Sequence, residues 1–131
     1  MTYLLDTDIC IYWLKGNPTV RERFLAIGWE QVCICVMTVA ELYFGAYNSS
    51  RVVDNLARAE AFVQLLPTVT LTDATLKKYA ELKATLRKAG QPVADFDLMI
   101  ASVAIATDLI LVTNNTRHYN RLPDLRLENW V

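Results

Sequence analysis

The chain has 131 residues, 53% of them apolar, and a formal net charge of −1. This length fits one domain, and the apolar content suffices for one buried core while being too high for a disordered segment. So little net charge argues against a general polyanion-binding surface, and any nucleic-acid contact has to come from a local basic patch. Strand and helix signals then alternate along the chain. Residues 2–6 are short, apolar and free of turn residues, which predicts a buried parallel strand. Asp8 is placed to N-cap a helix over 9–15 that Gly16-Asn17-Pro18 stops, and Thr19 to cap a short helix over 20–27 ended by Gly28. Residues 31–36 are rich in β-formers. Thr38 precedes a helix running to about Tyr47, with Asn48-Ser49-Ser50 as a loop. Apolar residues at 53, 56, 59, 62, 63 and 66 predict a helix over 52–66, which Pro67 ends. A short strand at 69–71 follows, then an amphipathic helix over 73–89 closed by Gly90. Residues 97–107 are nearly all apolar and predict a helix buried on most sides. Residues 109–113 predict another buried strand. A polar stretch at 114–121, a turn at Leu122-Pro123 and a short strand within 125–130 complete the chain.

Alternating β and α elements with continuous apolar strands predict an α/β fold, a central parallel sheet with helices on both faces in three layers, as one domain over 1–131. Sites in such sheets form at the carboxyl ends of strands. Asp6 closes the first strand, and Thr113-Asn114-Asn115 closes the 109–113 strand. Glu41 lies on the helix after the 31–36 strand, and Asp97 opens the apolar helix. The topology points all four groups at one sheet edge.

Asp6, Glu41 and Asp97 each sit where an apolar element ordinarily avoids charge, a costly placement unless a partner compensates it. Three convergent carboxylates suggest a divalent cation, because hard cations prefer oxygen ligands. Each acid also has a structural reading. Thr38-Val39-Ala40-Glu41 matches a capping box. Asp97 can offset the dipole in a first helical turn, with Asp95 as N-cap. Asp6 can cap the turn that follows it. Asp8 either orients a water at the metal or only caps its helix. No Ser, His or Cys arrangement suggests a covalent nucleophile.

The other features are less pointed. Cys10, Cys33 and Cys35 lie in apolar runs and read as reduced, buried small hydrophobes, since a zinc site needs further soft ligands and the one histidine is His118. The first residues lack a signal-peptide pattern, and Asp108 splits the longest apolar stretch, so a soluble cytoplasmic protein with no membrane association is expected. His118 reads as a surface histidine or a general acid, and Arg117 and Arg121 beside it as phosphate contacts. Lys77, Lys78, Lys83, Arg87 and Lys88 read as a solvated helix face or as a basic patch for RNA. Tyr12, Trp13, Tyr43, Phe44 and Tyr47 read as core or as a groove for a partner helix.

Five segments together resemble a known family: Leu4-Leu5-Asp6-Thr7-Asp8, Thr38-Val39-Ala40-Glu41-Leu42 with Gly45, Gly90-Gln91-Pro92, Asp97-Leu98-Met99-Ile100-Ala101, and Leu111-Val112-Thr113-Asn114-Asn115 followed by 125–130. Over essentially the whole chain the sequence is similar to PIN-domain ribonucleases, and most to the VapC toxins of type II toxin–antitoxin systems. The resemblance implies a PIN-like α/β/α fold and Mg²⁺-dependent cleavage of RNA, with Mn²⁺ able to substitute. It implies that Asp6, Glu41 and Asp97 hold the metal, with Asn115 completing the catalytic set. Many members carry a fourth acid where this chain has Asn115. An amide adds no charge, so one well-held ion is expected. The resemblance further implies a VapB-like antitoxin as partner, contact with DNA only through that antitoxin, a homodimer, and inhibition of translation by cutting a structured RNA such as a tRNA. Two rival readings fit the same residues. One is a catalytically silent PIN-like module that binds protein or RNA, which Asn115 favours. The other is a metal-dependent phosphatase on a different α/β fold.

Overall fold

A computed structural model describes residues 1–131. Its elements run β1 (Tyr3–Leu5), α1 (Thr7–Leu14), α2 (Pro18–Ile27), a 3₁₀ turn (Trp29–Gln31), β2 (Val32–Cys35), α3 (Val36–Tyr47), α4 (Val52–Gln64), β3 (Thr68–Val69), α5 (Asp73–Lys88), α6 (Asp95–Ala106), β4 (Ile110–Val112), α7 (Thr116–Tyr119) and β5 (Leu127–Glu128). The five strands form one sheet in the order β3-β2-β1-β4-β5, and every neighbouring pair is parallel. From β1 the chain winds outward through β2 to β3, and then crosses to β4 and β5 on the other side. The order therefore reverses between β1 and β4, where an open parallel sheet leaves a crevice at its carboxyl edge.

The two sheet faces are legible strand by strand. Leu4, Cys33, Cys35 and Leu111 point into a core completed by Leu82 and Leu86 of α5 and by Leu98, Ala101 and their neighbours on α6. Leu5, Val32, Ile34 and Val112 point to the opposite face, against Ile9, Phe24, Leu42 and Phe62 of α1 to α4. Successive strand side chains alternate between faces, so both halves of a continuous apolar run are buried. The result is the three-layer α/β/α arrangement with a central parallel sheet. Helix α6 is buried on most sides, as its composition predicts; Ser102 fits there because its hydroxyl donates 2.7 Å to the Leu98 carbonyl. No helix is long and apolar enough to cross a membrane. All three cysteines are free and buried, and Cys33 Sγ donates to the Tyr3 carbonyl at 3.4 Å.

Several predicted helix starts are displaced, each for a local reason. Asp6, not Asp8, caps α1, its carboxylate accepting from the Thr7 amide at 2.8 Å. Asn17, not Thr19, caps α2, because Pro18 takes the first helical position where its missing N–H costs nothing. Helix α3 begins directly after β2, at Val36, so Thr38 is its third residue and fully buried, and no capping box forms with Glu41. Helix α6 begins at Asp95, two residues before the predicted start, and Asp95 is not its cap. Its carboxylate instead accepts from Tyr79 and Lys83. The segment read as merely polar contains the short helix α7.

Leu111 lies in β4 beside the central strand and has no exposed surface. Leu111→Ala is expected to lower the unfolding free energy by about 2–5 kcal/mol, measured as a lower urea midpoint with the slope unchanged.

Candidate functional site

The crevice between β1 and β4 is built from residues that leave the two strand ends. Asp6 follows β1 directly, and its amide donates 2.9 Å to the Val112 carbonyl, which ties it to the end of β4. One carboxylate oxygen accepts from the Thr7 amide, and the other accepts from Thr113 Oγ1 at 2.9 Å. Asp6 is 6% exposed. Asp8, one residue into α1, accepts from the Ile9 amide at 2.7 Å and from the Asn114 amide at 3.0 Å. Thr113 also accepts from the Asn115 amide at 3.0 Å, which shapes the turn leaving β4. Two carboxylates on the β1 side are thus held by a hydroxyl and an amide on the β4 side.

Glu41 and Asp97 approach from the helices. Glu41 Oε1 accepts from Thr7 Oγ1 at 2.7 Å, and that hydroxyl also lies 3.1 Å from Thr38 Oγ1. Thr7 therefore links α1 to α3 and sets where Glu41 points. Asp97, in the first turn of α6, lies 3.0 Å from His118 Nε2, each side chain being about 30% exposed. The imidazole N–H is not aligned on the carboxylate, and this nitrogen makes no hydrogen bond. Next to it, Tyr119 is 1% exposed and its hydroxyl also lacks a partner. Asn115 precedes α7 as an exposed residue whose side chain makes no capping bond.

The electrostatics follow from this packing. Burial pushes the Asp6 carboxyl up to about 6, with Asp8 and more weakly Asp97 adding to the rise, while the Thr113 hydroxyl and Thr7 amide oppose it. Burial also raises Asp8, against the pull of the Asn114 and Ile9 amides. Tyr119 is held neutral, by burial first and then by the negative charges of Asp6 and Asp97. No lysine or arginine pairs with Asp6, Asp8, Glu41 or Asp97. By contrast, Asp54, Asp73, Glu81, Asp95, Asp108 and Glu128 each meet one at 2.7–3.1 Å. Uncompensated carboxylates held by neutral donors fit a hard divalent cation. Their oxygen chemistry suits Mg²⁺ or Mn²⁺ better than a soft-ligand metal. No three acidic, histidine or cysteine side chains stand close enough to form a finished coordination shell. Thr7 and His118 engage Glu41 and Asp97 instead.

The sequence-predicted site residues therefore fall into distinct groups. Asp6, Asp8 and Thr113 are drawn together, Glu41 joins them through Thr7, and Asp97 joins through His118 and the field it exerts on Asp6. The predicted basic run is largely neutralised, with Lys77, Lys78 and Lys83 paired to Asp73, Glu81 and Asp95. Of the early aromatics, Tyr12 and Trp13 pack against the core, whereas Phe44 and Tyr47 are exposed. Thr7 and Tyr119 were not singled out by sequence. Thr7 stands between two acids at a strand end, a signal that was available. Tyr119 lies in a polar stretch that gave none.

The chain matches the family profile described as "PIN domain" over residues 3–124. It is 40% identical to the tRNA(fMet)-specific endonuclease VapC of Shigella flexneri over 131 residues, covering 99% of this chain and 98% of the relative. It is 37% identical to Ribonuclease VapC2 of Haemophilus influenzae, covering 100% and 99%. Among solved structures, the fold is similar to a chain of DNA-bound VapBC from Salmonella typhimurium, with a TM-score of 0.94 and 35% identity, covering 100% and 99%. It is also similar to a chain of VapBC2 from Rickettsia felis bound to a promoter DNA fragment, with a TM-score of 0.91 and 32% identity, covering both chains completely.

A raised Asp6 pKa makes a signed prediction for the cation-free protein. With the folded value near 6 against 3.8 ordinarily, the protonated carboxyl favours the folded state below about pH 4, and that contribution is lost as pH rises through about 6. In EDTA at pH 7.5, Asp6→Asn is expected to exceed wild type in unfolding free energy by on the order of 1–3 kcal/mol. The difference is expected to shrink toward pH 4. Urea titrations at the two pH values measure it, and a variant less stable at pH 7.5 contradicts the assignment.

Proposed function

Because this chain belongs to the PIN-domain family, and within it to the VapC-type endoribonucleases of toxin–antitoxin systems, we propose that it is a Mg²⁺-dependent toxin that cuts a structured RNA and so arrests translation. The observation that carries the reading is the set of carboxylates at the β1–β4 crevice, left without a lysine or arginine partner. Asp6, Glu41 and Asp97 hold the cation, Mn²⁺ substituting for Mg²⁺. Asn115 stands at the rim as the fourth member of the catalytic set and contributes an amide oxygen without charge, which suits one well-held ion. The domain spans 1–131 and works in the cytoplasm.

When bound, the cation lowers the pKa of an attacking water and neutralises charge on the scissile phosphate. The protein's own residues fix the geometry. Thr113 and the Thr7 amide hold the two oxygens of Asp6, and the Thr7 hydroxyl holds Glu41. Asp8 is the further carboxylate in the crevice, and its raised pKa suits it to accept a proton from water. In-line attack by water leaves a 5′-phosphate and a 3′-hydroxyl. The RNA 2′-hydroxyl takes no part in that step, so preference for RNA comes from shape and binding. Arg87 and Lys88 in the last turn of α5, together with Arg117 on α7, make no ion pair and are among the cations free to meet phosphate. Two relatives bear the name of tRNA(fMet)-specific endonucleases, so tRNA(fMet) is the first substrate to test.

The partner is a VapB-like antitoxin, in keeping with the VapBC complexes among the structural relatives, and DNA is reached through it. A groove of about 350 Å³ between α1, α3 and α4 supports this reading. Ile11, Leu14, Leu42 and Ala59 line it, Arg58 stands on its wall, and Glu41 lies at its edge. A segment with an apolar stripe and a terminal cation fills the groove and covers the acids. A homodimer is part of the same reading, with Phe44 and Tyr47, 67% and 64% exposed, as large apolar groups left to be covered. The phosphatase rival required another fold and a lysine at a strand end. The silent-module rival relies on Asn115 alone and has to explain why the unpaired acids persist.

The test is incubation of antitoxin-free protein with total bacterial RNA, in Mg²⁺ and in EDTA, beside Asp97→Asn. A discrete Mg²⁺-dependent product with 5′-phosphate ends is expected. In the variant its rate should fall beyond the roughly 10–100-fold loss typical of outer-shell changes. No cleavage by folded wild type in Mg²⁺ or Mn²⁺ supports the silent module.

A further inference from the structure

Tyr119 is the last residue of α7 and packs into the core formed with α5 and α6. Its ring sits edge-on to His118, with centroids 5.4 Å apart at 80°. The residue is 1% exposed, yet the hydroxyl has no hydrogen-bond partner. A phenylalanine here would fill the same space without burying an orphaned donor, and an orphaned donor costs stability. The hydroxyl lies within interaction range of Asp6, the most buried acid of the crevice, with Asp97 and Asp8 also in its field. It stands near Asp6 without meeting hydrogen-bond geometry, while that carboxylate accepts from Thr7 and Thr113 and keeps acceptor capacity to spare. It is thus a buried donor beside the acid cluster with no partner of its own.

We infer that Tyr119 is a positioning residue for the cation site, its hydroxyl donating to the Asp6 carboxylate, directly or through one water, when a divalent cation engages that carboxylate. The step is a hydrogen-bond rearrangement and no covalent bond changes. Two carboxylate oxygens facing a cation, Thr113, Thr7 and one further donor leave Asp6 fully satisfied in its ionised form. The inference rests on the metal-site reading above. It goes beyond that reading by naming a buried neutral residue as part of what sets the affinity.

Tyr119→Phe tests it without RNA. Wild type and variant are stripped with EDTA, their melting temperatures are recorded, and Mn²⁺ binding is followed by calorimetry. The near-ultraviolet tyrosine difference spectrum is recorded at each addition. Without cation the variant is expected to melt at or above the wild-type temperature, because the lost hydroxyl had no partner. Its Mn²⁺ dissociation constant is expected to rise about tenfold, the size of one hydrogen bond to a charged group. The Mn²⁺-induced tyrosine signal of wild type should disappear. A dissociation constant within twofold of wild type overturns the inference, and so does a lower melting temperature without cation, which marks a structural role. Absence of Mn²⁺ binding by wild type overturns the metal-site reading and this inference together. Binding by wild type that Tyr119→Phe leaves unchanged overturns only the role of Tyr119.

Discussion

The carboxylate of Asp6 is forced into the one place where the fold can least afford a lone negative charge. It follows the central strand of a five-stranded parallel sheet, tied by its amide to the neighbouring strand and 6% exposed. The winding order puts it there: with β1 in the middle and β4 joining on the far side, the carboxyl ends of both strands open onto one crevice. Everything around Asp6 then acts to tolerate it. The Thr7 amide and Thr113 hydroxyl satisfy its oxygens, and its pKa still rises to about 6. Strain of this kind persists where function uses it.

The neighbours of the crevice acids differ in kind from those of the paired acids elsewhere. Six acids outside the crevice are met by a lysine or arginine, and the remaining surface acids are left to solvent. The crevice acids are met by threonine hydroxyls and backbone amides, and Asp97 lies beside an imidazole that makes no hydrogen bond to it. Neutral donors orient carboxylates and leave the negative potential intact for a mobile cation. Glu41 also borders the apolar groove between α1, α3 and α4, so one side chain belongs both to the site and to the surface on which a partner would lie. Blocking that surface and blocking the chemistry are therefore geometrically the same act.

The fold was largely legible because it rests on long apolar runs and strong punctuation. Pro67, Gly90 and the apolar run of α6 marked real boundaries to within a residue or two. The errors lie where tertiary packing outranked local capping. Thr38 looked like a cap but is a buried third helical residue, because β2 passes into α3 with no loop between them. Asp95 looked like a cap but is drawn to Lys83 and Tyr79 across the α5–α6 contact. Of the site, the three acids were visible because charge within apolar runs is conspicuous. Thr113, at a strand end, was legible as a hydroxyl able to bond an acid, and it does bond Asp6; Thr7 and Tyr119 were harder to see, because they gain meaning from partners far away in sequence. The pairing of His118 with Asp97 spans two helices and left no trace in local spacing.

The most direct measurement of the central claim is the melting temperature of wild type and Asp6→Asn at pH 7.5 as MgCl₂ is raised at constant ionic strength. If the Asp6 carboxylate is the buried charge that a divalent cation offsets, wild type rises with Mg²⁺ along a saturating curve, as ligand linkage requires. Asp6→Asn stays flat. Parallel behaviour of the two proteins, either both rising or both unmoved, would contradict it.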